Sequence, residues 1–346
     1  MSVGFAAECG NLYSMLSRVA DSIYWMSRYI ERAENVARCV EVNVHLTLDL
    51  PMAATSEQWE ALVTTSGDRA RFAERFAVPS RTNVIQFLAF DIENPNSILS
   101  CLTAARENAR MIREVITSEM WEQLNTFYLL VRDAAREPGV LEAPQHFLTQ
   151  VRLASHLFCG VTDATMSHGE AWRFCRLGRK LERADKTTRI LDVKYFLLLP
   201  AVSDVGTPTD DVQWAAVLRS ASALEMYRKR HGRVAPDLVV DFLLLDREFP
   251  RAVHYCLISA DDSLHAISGT ASGTFSNPAE QRLGQLRSEL AFTDVAGIIA
   301  AGVHEFLDGL QVRLNLVADA IRETFFVRSM VQQSFGPTPA SWGAAQ

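Results

Sequence analysis

Four carboxylates stand among arginines in two short stretches of the chain. The first stretch carries Arg28, Glu31, Arg32, Glu34, Asn35 and Arg38, and the second carries Arg179, Glu182, Arg183, Asp185 and Arg189. Three kinds of chemistry suit such a set. Carboxylates and guanidiniums that face each other inside a bundle form a charged network that fixes register, because removing one partner leaves the other buried and unpaired. Arginines that converge on open space form an anion pocket, able to grip a carboxylate or phosphate by bidentate bonds. Glu31, Glu34, Glu182 and Asp185 could instead hold a metal. Against that, arginines share their stripe, and the Glu-x-x-His pairs of di-iron bundles are missing. No metal or cofactor is expected.

A second polar concentration contains Arg106, Glu107, Arg110, Arg113 and Glu114. It reads either as a solvated helix face laced with i,i+3 and i,i+4 pairs or as a docking or anion face. The chain has no H-E-x-x-H, Walker loop, G-x-S-x-G or G-x-G-x-x-G, so no residue is assigned a catalytic role.

Helices must position these groups. From Asn11 to about Asp49 there is no proline or glycine, and Val19, Ile23, Met26, Ile30, Ala33, Ala37, Val40 and Val44 recur at helical spacing. That is a helix of about ten turns at 3.6 residues per turn, stopped by Pro51. On it Tyr24, Arg28, Glu31, Asn35 and Arg38 fall in one polar stripe, with Arg28 spaced to pair with Glu31, and Glu31 with Asn35 and Arg38. The stretch has an echo 151 residues later. Met15 matches Met166, Arg28 matches Arg179, Glu31-Arg32-Ala33 matches Glu182-Arg183-Ala184, and Arg38 matches Arg189. The matching stripe there is Cys175, Arg179, Glu182, Lys186 and Arg189.

After a longer turn the offset becomes 155. Gln58-Trp59 then meets Gln213-Trp214, Phe87-Leu88 meets Phe242-Leu243, Asp91 meets Asp246, Pro95 meets Pro250 and Cys101-Leu102 meets Cys256-Leu257. Asn94-Pro95-Asn96-Ser97 reads as a helix start with proline at an early position, and the polar run from Gly269 to Pro278 as a mobile loop. Strand signals are missing. The expected fold is all-α: two tandem related helical bundles, an internal duplication, packed about a pseudo-twofold axis through the repeated helices. The boundaries predicted are an N-terminal extension at 1–14, a first repeat at 15–165, a second repeat at 166–334 and a disordered tail at 335–346. The arginines of 106–113 fall over Asp261, His265 and Ser268, so that charge pattern is specific to the first half.

A net charge of −7 argues against a nucleic-acid partner, which would need a basic face. No charge-free apolar run approaches a membrane span, and residues 1–14 lack the basic region of a secretory signal. Six scattered cysteines without a C-x-x-C pair read as reduced thiols of a cytoplasmic protein.

These residues resemble the bacterial alpha-E domain family, all-helical proteins with a Glu-Arg motif. The resemblance covers about residues 15 to 330. It rests on Met15-Leu16-Ser17-Arg18 through Tyr29-Ile30-Glu31-Arg32-Ala33-Glu34-Asn35, on Asn94-Pro95-Asn96-Ser97-Ile98, on Ala105-Arg106-Glu107-Asn108-Ala109-Arg110 and on Glu119-Met120-Trp121. The block from Thr162-Asp163-Ala164-Thr165-Met166 to Glu182-Arg183-Ala184-Asp185 completes it. Ser27 departs from the glycine expected by analogy with Gly178, which implies looser packing there. The resemblance implies neighbours of circularly permuted ATP-grasp ligases and transglutaminase-like proteins, in systems that make or modify peptides through amide bonds.

Three functions follow as expectations. The first is a non-catalytic partner that docks on an ATP-grasp-type ligase and presents a peptide or acidic ligand. The second is an enzyme of the same pathway that uses Glu31 and Glu182 as acid and base. The third is a structural homo-oligomer. Glu31 and Glu182 sealed between helices would favour the scaffold; Glu31 open to a cleft with Arg28, Arg38 and Arg106 would favour a site.

Overall fold

A computed structural model describes residues 15–46, 52–197 and 208–327. The expected extension at 1–14, the tail at 335–346 and the helix stops at Pro51 and Pro200 lie outside the described residues. Everything described is helical or turn, which confirms the all-α class.

The first long helix, α1 (Ser17–Leu46), is followed by α2 (Met52–Ser66), α3 (Arg69–Arg75), α4 (Arg81–Ala89), α5 (Ile98–Met111), α6 (Ser118–Ala134), the single turn α7 (Gly139–Glu142) and α8 (Gln145–Thr165). The second long helix, α9 (Glu170–Leu197), leads to α10 (Pro208–Ser220), α11 (Leu224–His231), α12 (Pro236–Leu244), α13 (Val253–Ser268), α14 (Pro278–Ala291), α15 (Val295–Ala301) and α16 (Val303–Ile321), which ends in a wider turn at Arg322–Phe326. The expected start at Asn94-Pro95 moves to Ser97, whose hydroxyl accepts from Ser100 N at 3.1 Å and caps α5. Pro95 lies in the turn before the helix, which Asn94 closes by accepting from Asn96 N at 2.9 Å.

α1 and α9 run side by side at the centre. Their contacts join Met15 to Glu170, Ser27 to Cys175, Arg28 to Glu182 and Glu31 to Arg183, residues 148 to 155 apart in sequence. A nearly constant separation means parallel helices, since an antiparallel pair would shift by two for every residue. Around this pair α1 packs on α5 and α8, and α9 on α13 and α16. The next helices cross over, with α2 against α9 and α10 against α1. The two halves are therefore not separate globules. One apolar cluster runs through both, from Val19 to Ile321.

Every apolar position expected on the inner face of α1, from Val19 to Val44, is buried. So are Glu31, Asn35 and Arg38 on its polar stripe, and Glu34 beside it. A helix buried on both faces must satisfy its charges from neighbouring helices, and that requirement organises the centre of the molecule.

The run from Gly269 to Pro278 is a loop, as expected, but a tied one. Its backbone N–H at Ser276 donates to Glu280 at 2.6 Å, and the Thr274 carbonyl lies 3.0 Å from His265 Nε2. Anchors of this kind to both flanking helices oppose the mobility expected of a polar stretch.

Candidate functional site: the Glu-Arg core

Reciprocity defines the geometry. Arg32 on α1 grips Glu182 on α9 through Nε–Oε1 at 2.6 Å and Nη2–Oε2 at 3.0 Å. Arg183 on α9 grips Glu31 on α1 through Nε–Oε1 at 2.8 Å and Nη2–Oε2 at 2.7 Å. Both are bidentate, the strongest arrangement for a guanidinium and a carboxylate. They lie between helices, at 0% exposure for Glu182 and 2% for Glu31.

Further cations complete each end. Arg28 donates from Nε to Glu182 at 2.8 Å while its guanidinium lies over Trp25, 4.9 Å from the ring centroid. Lys186 Nζ stands 3.7 Å from Glu182 and 3.2 Å from Asp185, and Arg189 Nε donates to Asp185 at 2.9 Å. At the other end Arg251, in the turn before α13, spans Glu31 at 3.1 Å, Asn35 at 3.1 Å and Glu34 at 2.7 Å. Arg38 also donates to Glu34, through Nε at 3.0 Å.

Two expected pairings are corrected. Arg28 does not bond Glu31 along its own helix but reaches across to Glu182, because the parallel neighbour brings a carboxylate within its span. Arg38 pairs not with Glu31 but with Glu34, its i−4 neighbour, while Glu31 accepts from Asn35 Nδ2 at 3.1 Å as expected. Arg179 joins neither motif carboxylate; it lies 3.7 Å from Asp163 on α8.

Burial would by itself raise every carboxylate here, and the arginines overcome it. Arg183 and Arg251 hold Glu31 below its ordinary value, and Arg32, Arg28 and Lys186 hold Glu182 well below. Glu34 is held well below by Arg251 and Arg38. An ionised, fully paired carboxylate is a poor proton shuttle near neutral pH. Burial pushes the Cys39 thiol up to about 11 and the Cys101 thiol to about 12, which makes these two poor nucleophiles near neutral pH.

A depressed native pKa gives a stabilisation that is complete above the unfolded value near 4.5 and is lost as pH falls through the native value. The stability cost of Glu34→Gln is therefore expected to be full at neutral pH and to shrink as pH drops below about 4.5. Urea titrations of both proteins across that range check it.

Sealing decides the fate of the expected open site. Arg106 stands apart from Glu31, on α5, where Nε donates to Asn125 on α6 at 2.8 Å. Its guanidinium lies over Tyr128 at 5.0 Å and Trp121 at 5.5 Å, and Arg113, in the turn after α5, also lies over Trp121 at 4.6 Å. Arg110 pairs with Glu107 at 2.8 Å, and Glu114 is exposed. The five residues thus make an outward face, with two guanidiniums fixed on one indole. Ser27, expected to loosen the helix contact, is buried, and its Oγ lies 2.9 Å from Cys175 Sγ.

Sequence reasoning missed Arg251 and undervalued Asn96. Arg251 precedes α13 and belongs to no helical stripe. The available signal was positional: at the 155 offset it stands over Asn96, which accepts from Arg32 Nη1 at 2.8 Å. Each end of the core thus has one amide and one cation in exchanged positions, Asn35 with Arg251 and Asn96 with Lys186.

The chain is 23% identical to an uncharacterized protein of Mycobacterium bovis and to uncharacterized proteins of two Mycobacterium tuberculosis strains, over 89% of its own length and 36% of theirs. It thus spans about a third of the length of these curated relatives. No solved structure matches it. A family profile described as a predicted alpha-helical domain with a conserved ER motif matches residues 15–326. Those residues hold both Glu31-Arg32 and Glu182-Arg183, and the chain belongs to the Alpha-E family.

Proposed function

We propose that this chain is an accessory protein of a cytoplasmic ATP-grasp-associated system for peptide synthesis or modification, and that it presents a peptide or acidic ligand without catalysing a reaction. The observation that carries this reading is the sealing of Glu31 and Glu182, each held by bidentate arginine between α1 and α9. The motif named for the family is then a lock for the fold, and function passes to surfaces the lock holds in place. Relatives in which 64% of the length lies beyond the matched region (100 − 36) support a unit that works beside other protein.

The reciprocal ion pairs also support an internal duplication about a pseudo-twofold axis along α1 and α9. So do paired details at matched positions. Cys101 Sγ donates to Pro95 O at 3.7 Å, and Cys256 Sγ to Pro250 O at 3.5 Å.

The docking face is the Arg106–Arg113 surface, where stacking on Trp121 restricts the guanidiniums before a partner arrives. The test is co-purification with the neighbouring ATP-grasp protein, comparing wild type with a variant in which Arg106, Arg110 and Arg113 are all alanine. Retention by wild type and loss of about tenfold or more in affinity for a variant of unchanged fold is the expected result. No retention by either protein would overturn the partner reading.

A further inference from the structure

The two ends of the Glu-Arg core are not closed equally. At the Glu31 end two carboxylates, Glu31 and Glu34, share Arg183, Arg251 and Arg38. Arg251 fills that end and is 6% exposed. At the Glu182 end two carboxylates, Glu182 and Asp185, share four cations: Arg28, Arg32, Lys186 and Arg189. Asn96 holds the position equivalent to Arg251, and its shorter side chain reaches Arg32 without filling the end.

A small cleft, with about 50 Å³ of enclosed space, opens there between α1, α2, α4, α9 and the turn before α5. Arg32, Lys186 and Arg189 line it. Arg189 spends only Nε on Asp185; among the described residues its two terminal nitrogens meet no acceptor. They lie by the Gly67 turn, where a Cβ would come within 3.6 Å of Arg189 Nη1. The apolar wall is built from Val36, Leu62, Leu88 and Ile190. Thr65 and Ser66 stand at its edge with their protons already given to the Ala61 and Val63 carbonyls, at 2.9 and 2.7 Å, so toward the cleft their oxygens can only accept.

We propose that this cleft binds a carboxylate on an apolar body, with an N–H beside it: the C-terminal residue of a peptide, or an acylated amino acid. Arg189 and Lys186 take the carboxylate, the apolar wall takes an aliphatic side chain, and Thr65 or Ser66 accepts the N–H. This deepens the presenting role proposed above, since a system that forms amide bonds consumes a carboxylate.

Isothermal titration of the isolated chain tests it with N-acetyl-leucine, N-acetyl-leucinamide and octanoate, and needs no ligase. Failure here and failure of the co-purification are therefore separate results. The expected order is N-acetyl-leucine tightest, with the amide weaker by about tenfold or more because the carboxylate is gone. Arg189→Gln is expected to weaken N-acetyl-leucine to a similar degree. Because Arg189 also pairs with Asp185, Val36→Phe serves as a second variant, which fills the cleft from α1 with no change of charge and should abolish binding. Equal binding of acid and amide, no heat from N-acetyl-leucine at millimolar concentration, or unchanged binding by Val36→Phe would each overturn the site. Octanoate binding more tightly than N-acetyl-leucine would overturn the peptide-end assignment in favour of a fatty acid.

Discussion

Glu182→Gln is expected to lower the free energy of unfolding by about 3–5 kcal/mol, the cost of breaking a buried ion pair by removing one partner. The shape of the side chain is kept, so the loss is electrostatic. Arg28, Arg32 and Lys186 all face that carboxylate, which is 0% exposed, so its neutralisation leaves three largely buried cations without their shared partner. For a domain whose total stability is about 5–15 kcal/mol, this is a large share. Urea denaturation measures it. Glu107→Gln is the control: Glu107 is 48% exposed and pairs with surface arginines, so its change is expected within about 0.5 kcal/mol.

The second large effect lies one turn before Glu182. A Cβ on Gly178 would sit 2.4 Å from the backbone oxygen of Tyr24, and 3.2 Å from both the carbonyl carbon and a ring carbon. Backbone cannot yield as a flexible side chain does, so Gly178→Ala must push α9 away from α1. The expected loss is about 3 kcal/mol, at the upper end of ordinary overpacking, because the displacement also stretches Arg32–Glu182 and Arg183–Glu31. The opposite substitution at the matched position, Ser27→Gly, removes only the contact with Cys175 Sγ and adds the entropic cost of a helix glycine, about 1 kcal/mol. Thermal melts of the two variants should therefore differ widely, though both change one small residue on a central helix.

The sequence made the helices legible because the signals were local. Apolar spacing on α1 named the buried face, and the echo at 151 residues named α9 as its counterpart. It also placed the motif residues near one another, since equivalent positions on parallel helices meet. Partner choice was not legible. Arg28 can reach Glu31 along the helix as easily as Glu182 across it, and only the packing distance of α9 decides. Arg251 was harder still, because a residue in a turn has no periodicity to place it. Its exchange with Asn96 becomes meaningful only when Asn35 and Lys186 are seen beside them. How the halves interlock was not legible for a related reason: helical pattern gives each element's buried face but not which neighbour covers it, and α2 packs more on α9 than on α1 while α10 touches both. The outward Arg106 face was found as a charge pattern, while its rigidity depends on Trp121 and Tyr128 from α6, which spacing on α5 cannot show.

The central claim is that the family's Glu-Arg motif locks two parallel helices together. A double-mutant cycle on Glu31 and Arg183 tests it most directly, with urea stabilities measured for wild type, Glu31→Gln, Arg183→Met and the double variant. A coupling energy of about 2–3 kcal/mol is expected, so that the double variant is far less damaged than the two single losses added together. Additive losses, or single variants as stable as wild type, would contradict the lock and return Glu31 and Glu182 to consideration as a working site.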